Sequence, residues 1–199
     1  MIENLHLPKA LLQDINSNSK KIVVPSDTQI ISIGDHLDYI PFVLNGTIRV
    51  FIENEDTGKE VLLYYVENGG TCLMSMIASF GSKISKVSAT TEIMTEVATV
   101  SNEKIREWQI QYPEWNNLIL DLFVNRYNDM INTIEELSFK KIEDRLKTYL
   151  NKYLNKSGKI VVSKTHLQIS KDLGTSREVV SRALKKIESE MNYEFHLKK

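Results

Sequence analysis

The sequence has a single cysteine among its 199 residues and no long hydrophobic run. One cysteine rules out an intramolecular disulfide and fits a reducing compartment, so we expect a cytoplasmic protein. Because no apolar run reaches about 18 residues, no membrane-spanning helix is expected. The N-terminal residues lack the basic and apolar segments of a signal peptide. Repeats and low-complexity segments are also absent, and this length suffices for one or two compact domains.

The motifs that indicate an enzyme are missing as well. No nucleophile elbow, phosphate-binding loop or zinc motif occurs in the sequence. A metal-dependent enzyme on a β barrel needs clustered histidines and carboxylates, but the β-rich region described below contains only His36. The other histidines, His6, His166 and His196, are scattered without metal-ligand spacing, and each is interpreted as a surface or turn residue. We therefore expect neither catalysis nor a bound metal.

The net charge of −1 hides an uneven distribution of charged residues. Residues 139–199 contain 15 Lys and Arg residues against 7 Asp and Glu, a net charge of +8. Residues 1–138 contain 10 basic against 19 acidic residues, a net charge of −9. An acidic body joined to a basic C-terminal module is typical of a nucleic-acid-binding protein, although lysines are common on any solvated surface.

Within the basic module, residues 165–187 contain two short helical patterns separated by a turn around Gly174. Each pattern begins with a pair that fits the S/T-x-x-E/Q capping box. The pairs are Thr165 with Gln168 and Thr175 with Glu178. Gly174 stands where a tight turn between helices needs a positive φ. The segment therefore predicts a helix-turn-helix.

The second helix of this motif has one apolar side and one polar side at about 100° per residue. The apolar side holds Val179, Val180, Ala183, Leu184 and Ile187, and the polar side holds Arg177, Glu178, Ser181 and Arg182. Arginine suits the O6 and N7 atoms of guanine, glutamate accepts from cytosine N4, and serine suits a base edge or a phosphate. The N-terminal part of a recognition helix enters the major groove of double-stranded DNA, so this polar side predicts base contacts. The sequence leaves three roles open for Glu178: it caps the helix, it contacts a base, or it does both in turn.

Further DNA contacts are expected around the same motif. Four lysines near both helices, Lys164, Lys171, Lys185 and Lys186, would contact phosphates regardless of sequence. The hydroxyl residues Thr165, Thr175 and Ser176 are also expected to bind DNA.

The first hundred residues have the pattern of a β domain. Short apolar runs are separated by turn signals, which favours a sandwich or barrel and here a jelly roll. The expected strands are Lys21–Val24, Thr28–Ile33, Tyr39–Leu44, Thr47–Ile52, Val61–Val66 and Thr95–Val100, and residues 2–15 are expected to form a short helix. In residues 47–53 the alternation places Ile48, Val50 and Ile52 on one side of a strand and Arg49, Phe51 and Glu53 on the other. The fold class is therefore α+β, because helical periodicity follows.

A short helix over Ser101–Gln111 is expected to precede a long helix over Glu114–Leu137. Apolar residues recur along the long helix at spacings of three and four, as in a coiled-coil seam. They are Leu120, Phe123, Tyr127, Met130, Ile134 and Leu137, and a second apolar edge of Trp115, Leu118, Ile119 and Leu122 is expected to pack on the β domain. The seam predicts a parallel homodimer, because a two-fold-symmetric reader needs two recognition helices about one DNA turn apart. The alternative is a helix buried wholly within its own chain.

The remaining elements complete a winged module. A helix over about Lys140–Leu154 and short strands over Lys159–Ser163 and Tyr193–Leu197 are expected to surround the helix-turn-helix. We therefore expect a sensor domain in residues 1–112, a dimerisation helix in residues 113–138 and a winged helix-turn-helix domain in residues 139–199.

This order of elements, with LGTSREVVSRALKKIE at residues 173–188, resembles the Crp/Fnr superfamily of bacterial transcription regulators. The resemblance covers nearly the whole chain and is most specific in that segment. It implies a cyclic-nucleotide-binding-like jelly roll, which Gly34-Asp35 and Leu44-Asn45-Gly46 fit. It also implies a homodimer that binds an inverted repeat in DNA and contacts RNA polymerase. The E-x-x-S-R form is closer to the Fnr branch, which implies TTGAT-like half-sites.

The sensing chemistry differs from both well-known branches of the family. The family's cyclic-AMP binders carry a Gly-Glu pair and an Arg that grips the phosphate, whereas residues 68–91 have no Arg and have Thr71 after Gly69-Gly70. Lys83 and Lys86, the cations of that region, cannot reproduce a bidentate fork. An iron–sulfur cluster needs four thiolates, and the chain has Cys72 alone. Cyclic AMP and an Fe–S cluster are therefore disfavoured, no cofactor is predicted, and the effector is unknown.

By position in the family, the effector pocket would involve Gly70, Thr71, Cys72, Leu73, Met74 and Ser75. Cys72 is either a redox or gas-sensing handle or a small buried hydrophobic residue. An alternative is a ligand-independent DNA-binding or interaction protein, whose jelly roll only supports dimerisation or polymerase contact. The sequence does not separate a sensor from this alternative.

Overall fold

The computed structural model describes residues 8–54, 56–78, 80–81, 83–153, 161–162, 164–191 and 196–197. By its internal contacts, the chain divides into two compact units. The first unit contains residues 1–52 and 63–130, and the second contains residues 53–62 and 131–199. Apart from residues 53–62, the division falls between Met130 and Ile131, inside the expected dimerisation segment of residues 113–138.

The N-terminal elements begin with a helix and continue as strands, and the end of the fourth strand and the start of the fifth, within residues 53–62, are assigned to the second unit. They are α1 (Lys9–Asn18), β1 (Lys20–Val24), β2 (Gln29–Ile31), β3 (Tyr39–Asn45), β4 (Ile48–Asn54), β5 (Lys59–Val66), α2 (Leu73–Ala78), β6 (Ser88–Thr91), β7 (Thr95–Ser101) and α3 (Asn102–Gln111). The strands form a three-stranded sheet in the order β1-β7-β3 and a four-stranded sheet in the order β2-β6-β4-β5. Antiparallel pairing aligns Ile22 with Val97 and Pro41 with Thr99.

The two sheets share one apolar core. Val43 and Val97 come from the first sheet, Val50 and Ala89 come from the second, and all four are buried in the same cluster. The expected β domain is present, and each of its strands contributes inward residues to this core. Two elements were not expected from the sequence, the strand β6 and the short helix α2.

Strand β4 departs from the alternation that its sequence predicts. Ile48, Arg49, Val50 and Phe51 are all buried, and only the end of the strand is exposed. The guanidinium carbon of Arg49 lies 4.4 Å from the centre of the Phe51 ring, so the charged residue on the outward side is covered by an aromatic neighbour. The outward face of this strand is therefore not a solvated face.

Helix α4 (Pro113–Phe139) follows α3 and matches the expected long helix. Its first turns pack in a second core cluster of the β unit, where Trp115 is fully buried beside Trp108 and Phe42. Leu118 and Leu122 are partly buried and Ile119 is buried, so the expected second apolar edge does pack on the β domain. Beyond Leu122, the apolar side chains of the helix are exposed.

The second unit contains helices α5 (Ile142–Asn151), α6 (His166–Asp172) and α7 (Arg177–Met191). Two short strands, β8 (Val161–Val162) and β9 (His196–Leu197), pair in parallel and fit the expected wing positions. The three helices pack around one cluster, in which Leu146, Ile169 and Leu184 are buried. Helix α5 is shorter than the helix predicted over Lys140–Leu154, whose last residue lies outside the described residues.

Candidate functional site

Helices α6 and α7 form the helix-turn-helix that the sequence predicts. In α7 Val180, Ala183, Leu184 and Ile187 are buried, whereas Arg177, Glu178, Arg182, Lys185 and Lys186 are exposed. Val179 and Ser181 are half-buried at the borders between the two sides. The burial thus follows the helical wheel, because the apolar side completes the core of the module and leaves the polar side to solvent.

The turn between the two helices is held by backbone contacts. Gly174 has φ of +59°, as the sequence predicts for this turn. A Cβ atom there would lie 3.2 Å from Cγ2 of Val61, so the position is restricted by space as well as by φ. The Thr175 amide donates to the Ser170 carbonyl, and the Arg145 guanidinium donates to the Leu173 carbonyl. These bonds fix the angle at which α7 leaves the turn.

The cap of α6 is confirmed, but the cap of α7 differs from the prediction. The backbone N–H of Gln168 donates to Thr165 Oγ1 over 3.2 Å, and the backbone N–H of Thr165 donates to Gln168 Oε1 over 2.8 Å. Helix α7 begins one residue later than its sequence pattern indicates, so the Val179 amide donates to Ser176 Oγ over 3.3 Å. The predicted capping box of Thr175 with Glu178 is therefore wrong.

Glu178 has a local role at the start of α7 instead. Its own backbone N–H, and next the Ser176 hydroxyl, donate to its carboxylate and lower its pKa below the usual range of a glutamate. The nearby guanidinium groups of Arg177 and Arg182 add smaller effects in the same direction. The exposed end of the helix thus presents an ionised carboxylate between two cations, a combination of donors and acceptors that suits base edges.

Several lysines predicted to contact phosphate have carboxylate partners in the second unit. Lys171 Nζ lies 2.5 Å from Glu60 Oε1, and Lys186 Nζ lies 3.2 Å from Glu143 Oε1. Lys164 Nζ lies 2.9 Å from the buried Asp172 carboxylate. Lys185 is exposed on α7. Each of the three paired lysines would have to leave its carboxylate before it could bind a phosphate. Fewer cations are therefore directly available to the DNA backbone.

The Asp172 carboxylate also accepts from the Tyr149 hydroxyl over 2.7 Å. Burial, and next the charge of Asp172, raise the pKa of Tyr149 well above its usual range. Asp172 and Tyr149 thus form a satisfied buried polar network that ties α5 to α6. Lys164 completes this network, so part of its role is structural.

His166, interpreted from the sequence as a surface or turn residue, is half-buried and contacts the polar side of α7. Its Nδ1 atom lies 2.8 Å from the Ser181 Oγ atom, and the Ser181 hydroxyl lies 2.9 Å from the Arg177 carbonyl. The first residue of α6 is therefore joined to the polar side of α7. No sequence spacing signals this contact, because 15 positions and a turn separate the two residues.

The predicted seam of α4 is exposed in the single chain. Leu120, Tyr127 and Ile134 are 62%, 60% and 57% exposed, and Phe123, Met130 and Leu137 are also exposed. Val124 and Ile131, which the seam did not include, widen this apolar surface. An apolar stripe of this length is unusual on a protein that remains monomeric. In the described part of the chain, this exposure does not fit the alternative of a helix buried wholly in its own chain.

The residues predicted to form an effector pocket are mostly packed in the β unit. Thr71, Cys72, Leu73 and Ser75 are buried, whereas Gly70 and Met74 are half-buried. The Cys72 Sγ atom lies 3.8 Å from the Tyr64 hydroxyl within the apolar core. The Ser75 hydroxyl is fully buried and has no hydrogen-bond partner among the described residues. A buried hydroxyl without a partner is costly, and Ser75 is the one polar residue of α2.

A cavity of about 200 Å³ lies elsewhere in the β unit. Its walls are Ile22, Val24, Ile30, Ile31, His36, Leu37, Asp38, Tyr39, Pro41, Val97 and Thr99. None of the residues predicted for the effector pocket lines it. At its rim Lys83 Nζ and His36 Nδ1 lie 3.0 and 3.1 Å from the Asp38 carboxylate, and the Lys83 hydrogen bond is the main cause of its lowered pKa.

The described residues contain neither a metal-ligand cluster nor a membrane-spanning helix. No group of three or more His, Cys, Asp or Glu side chains in the described part of the chain is arranged to hold a metal ion. Among the helices described, none has the combination of length and apolarity that a membrane crossing needs.

The geometry defines a protein with a helix-turn-helix and a two-sheet β domain. No family model matches the sequence. In sequence, the chain is 23% identical to the cAMP-activated global transcriptional regulator Vfr of Pseudomonas aeruginosa, and the match covers 96% of this chain and 92% of Vfr.

Solved structures show the same fold. The c-di-GMP-responsive global regulator CLP of Xanthomonas campestris has a TM-score of 0.83 at 19% identity, covering 92% of this chain and 93% of CLP. A protein from Eubacterium rectale, assigned to the crp/fnr family of transcriptional regulators, has a TM-score of 0.79 at 24% identity, covering 92% of this chain and 85% of that one. These likenesses confirm the resemblance to the Crp/Fnr superfamily and support a transcriptional regulator of this type.

Proposed function

We propose that this chain is a cytoplasmic, homodimeric regulator of transcription that binds an inverted repeat in double-stranded DNA. The observation that carries the proposal is the exposed polar side of α7, opposite a buried apolar side, at the end of a fixed turn. This side presents Arg177, Glu178, Ser181 and Arg182, whose donors and acceptors match base edges in the major groove. TTGAT-like half-sites are the expected target.

Contacts to the DNA backbone would come from the ends of the two helices. Thr165 caps α6 and Ser176 caps α7, so both stand at helix N-termini, where the helix dipole favours a phosphate. Thr175 precedes the second cap and is half-buried. Lys185 is the strongest lysine candidate, whereas Lys164, Lys171 and Lys186 must share their charge with carboxylates. The phosphate contribution should therefore be smaller than the charge of the module suggests.

The dimer would form along the exposed stripe of α4. Burial of side chains such as Leu120, Tyr127 and Ile134 against a second copy removes a large apolar area from water. The spacing of three and four residues is that of two parallel helices in contact. Such pairing would place one recognition helix on each side of the dimer axis, as an inverted repeat requires.

An effector would act through the β unit and its contact with the first turns of α4. Trp115, at the start of that helix, packs against Phe42, and Phe42 pairs through its backbone with Thr71. A ligand that satisfied the buried Ser75 hydroxyl would therefore change packing close to the dimerisation helix. If this ligand bound the DNA-competent and the incompetent state of the protein with different affinities, it would shift the population between them. Cyclic AMP is not expected to be this ligand, because no arginine fork lies in residues 68–91.

The proposal is tested by selecting DNA sequences from a random pool with the purified chain while its mass is measured by light scattering. The expected result is enrichment of an inverted repeat by a species with twice the chain mass. Enrichment of no sequence would contradict the proposed function. Non-denaturing mass spectrometry of the protein from its native host distinguishes the sensor from the ligand-independent alternative, because only the former retains a bound small molecule.

A further inference from the structure

The Ser181 hydroxyl on the polar side of α7 has two close partners. Its Oγ atom lies 2.9 Å from the Arg177 carbonyl oxygen, four residues earlier in the same helix, and 2.8 Å from His166 Nδ1 at the start of α6. Both distances are within the normal range of a hydrogen bond. The second contact is the unusual one, because it fixes a residue on the DNA-facing helix from outside that helix.

The direction of both hydrogen bonds follows from the number of hydrogens. A serine hydroxyl has one hydrogen to donate, and a carbonyl oxygen can only accept. The Ser181 hydrogen must therefore point to the Arg177 carbonyl, as serines in helices commonly do. His166 Nδ1 then has to be the donor, so its imidazole carries a hydrogen on Nδ1 and Ser181 Oγ accepts.

This arrangement determines what Ser181 can offer to a base. Its hydrogen and one lone pair are in use, so the remaining capacity of the hydroxyl is that of an acceptor. In the major groove, adenine N6 and cytosine N4 are donors, whereas guanine O6 and N7 and thymine O4 are acceptors. A serine free to rotate would tolerate either kind of base edge.

We propose that His166 is a positioning residue that holds Ser181 as a hydrogen-bond acceptor for the exocyclic amino group of adenine or cytosine. The proposal depends on one part of the proposed function, the placement of α7 in the major groove of DNA. His166 does not contact the base in this scheme. It restricts one hydroxyl, and so converts a permissive serine into one that selects for an amino group.

The first experiment is a DNA-binding selection with the wild-type chain, His166→Ala, Ser181→Ala and the double variant. In the wild type, one position of each half-site should prefer adenine or cytosine. Each single variant should lose that preference by roughly tenfold and leave the other positions unchanged. The double variant should be no worse than Ser181→Ala, because His166 acts only through the hydroxyl. Additive losses, or a preference that survives His166→Ala, would overturn the proposal.

A matched substitution tests the direction of the bond. In His166→Asn, the Nδ2 amide occupies the place of Nδ1 and keeps a donor, so it should restore the preference that His166→Ala loses. A base analogue without the exocyclic amino group at the selected position should weaken wild-type binding by the same tenfold but leave Ser181→Ala unaffected. If His166 only supported the fold, the base analogue would not distinguish the wild type from Ser181→Ala in this way. Thermal unfolding of each variant checks the fold directly.

The tautomer can be measured without DNA. Nitrogen-15 chemical shifts of the His166 imidazole in the full chain should show the hydrogen on Nδ1. A hydrogen on Nε2 alone would overturn the positioning role while leaving the proposed function intact. Failure of the wild-type chain to enrich any DNA sequence would overturn both, so the two failures are distinguishable.

Discussion

Lys171 on α6 and Glu60 at the start of β5 form an ion pair in which the Nζ and Oε1 atoms are 2.5 Å apart. Glu60 is only 6% exposed, whereas Lys171 is about half-exposed. The pair belongs to the unit that contains the helix-turn-helix. A basic residue that the sequence assigns to the DNA backbone is thus engaged within the protein.

We expect Lys171→Met to affect stability more than DNA binding. Removing the cation beside a buried carboxylate should lower the free energy of unfolding by about 1 kcal/mol, a value reduced because Lys171 is partly exposed. Urea denaturation measures this loss. The salt dependence of DNA affinity should change little for Lys171→Met but should fall by about one unit of slope for Lys185→Ala. Equal slopes for the two variants would show that Lys171 also binds phosphate.

Arg182→Ala should remove discrimination at one base pair, at a cost of about 1–3 kcal/mol. The reason is the loss of a planar fork with two parallel donors to guanine. Arg182→Lys keeps the charge but not the fork, so it should lose the same discrimination and retain more of the overall affinity. Competition binding against all four bases at each half-site position provides the measurement. An unchanged preferred sequence in Arg182→Ala would remove this residue from the base readers.

Met130→Glu should convert the dimer into monomers. The substitution would place two carboxylates opposite each other in an apolar seam, where burial of unpaired charge costs several kcal/mol. Specific DNA binding should be lost with the dimer. The control is Asn128→Glu, which adds the same charge to α4 at an exposed position off the predicted seam. Light scattering that gives an unchanged dimer mass for Met130→Glu would move the interface elsewhere.

The Glu178 carboxylate should titrate below the usual range of glutamate, and Ser176→Ala should raise its midpoint. The backbone N–H of Glu178 itself, and next the Ser176 hydroxyl, favour the ionised form of the carboxylate in the folded chain. A lowered folded pKa means that these bonds stabilise the fold above the unfolded pKa and are lost as the pH falls through the folded pKa. NMR titration of the Glu178 side-chain carbon follows this directly. An identical midpoint in Ser176→Ala would exclude the hydroxyl as a cause.

Cyclic AMP should neither bind the chain tightly nor raise its affinity for DNA. The phosphate of a cyclic nucleotide needs a bidentate cation, and residues 68–91 offer Lys83, which pairs with Asp38, and Lys86. Calorimetry should detect no micromolar binding of cyclic AMP to this chain. The cAMP-activated regulator Vfr serves as the positive control under the same conditions. Micromolar binding with a matching gain in DNA affinity would contradict this prediction.

The structure also shows where local sequence signals end. The sequence pattern places the start of α7 one residue too early, because Thr175 and Ser176 are both good caps and only the geometry after Gly174 selects Ser176. Strand β6 was missed because its polar sequence resembles a loop. Its Ser88 and Thr91 side chains are buried, and Thr91 Oγ1 donates to the Pro25 carbonyl, 66 positions earlier in the chain.

By itself, the sequence determined the elements whose signals are local. The periodicity of α4 and α7, the Thr165 cap and the positive φ of Gly174 each depend on neighbours within about one or two helical turns. Only the tertiary structure decided which charges and hydroxyls meet. Lys171 with Glu60 and His166 with Ser181 are pairs between different elements, separated by 111 and 15 positions. Side-chain hydrogen bonds act over about 3 Å in space, and no spacing along the chain encodes that distance once a turn lies between the partners.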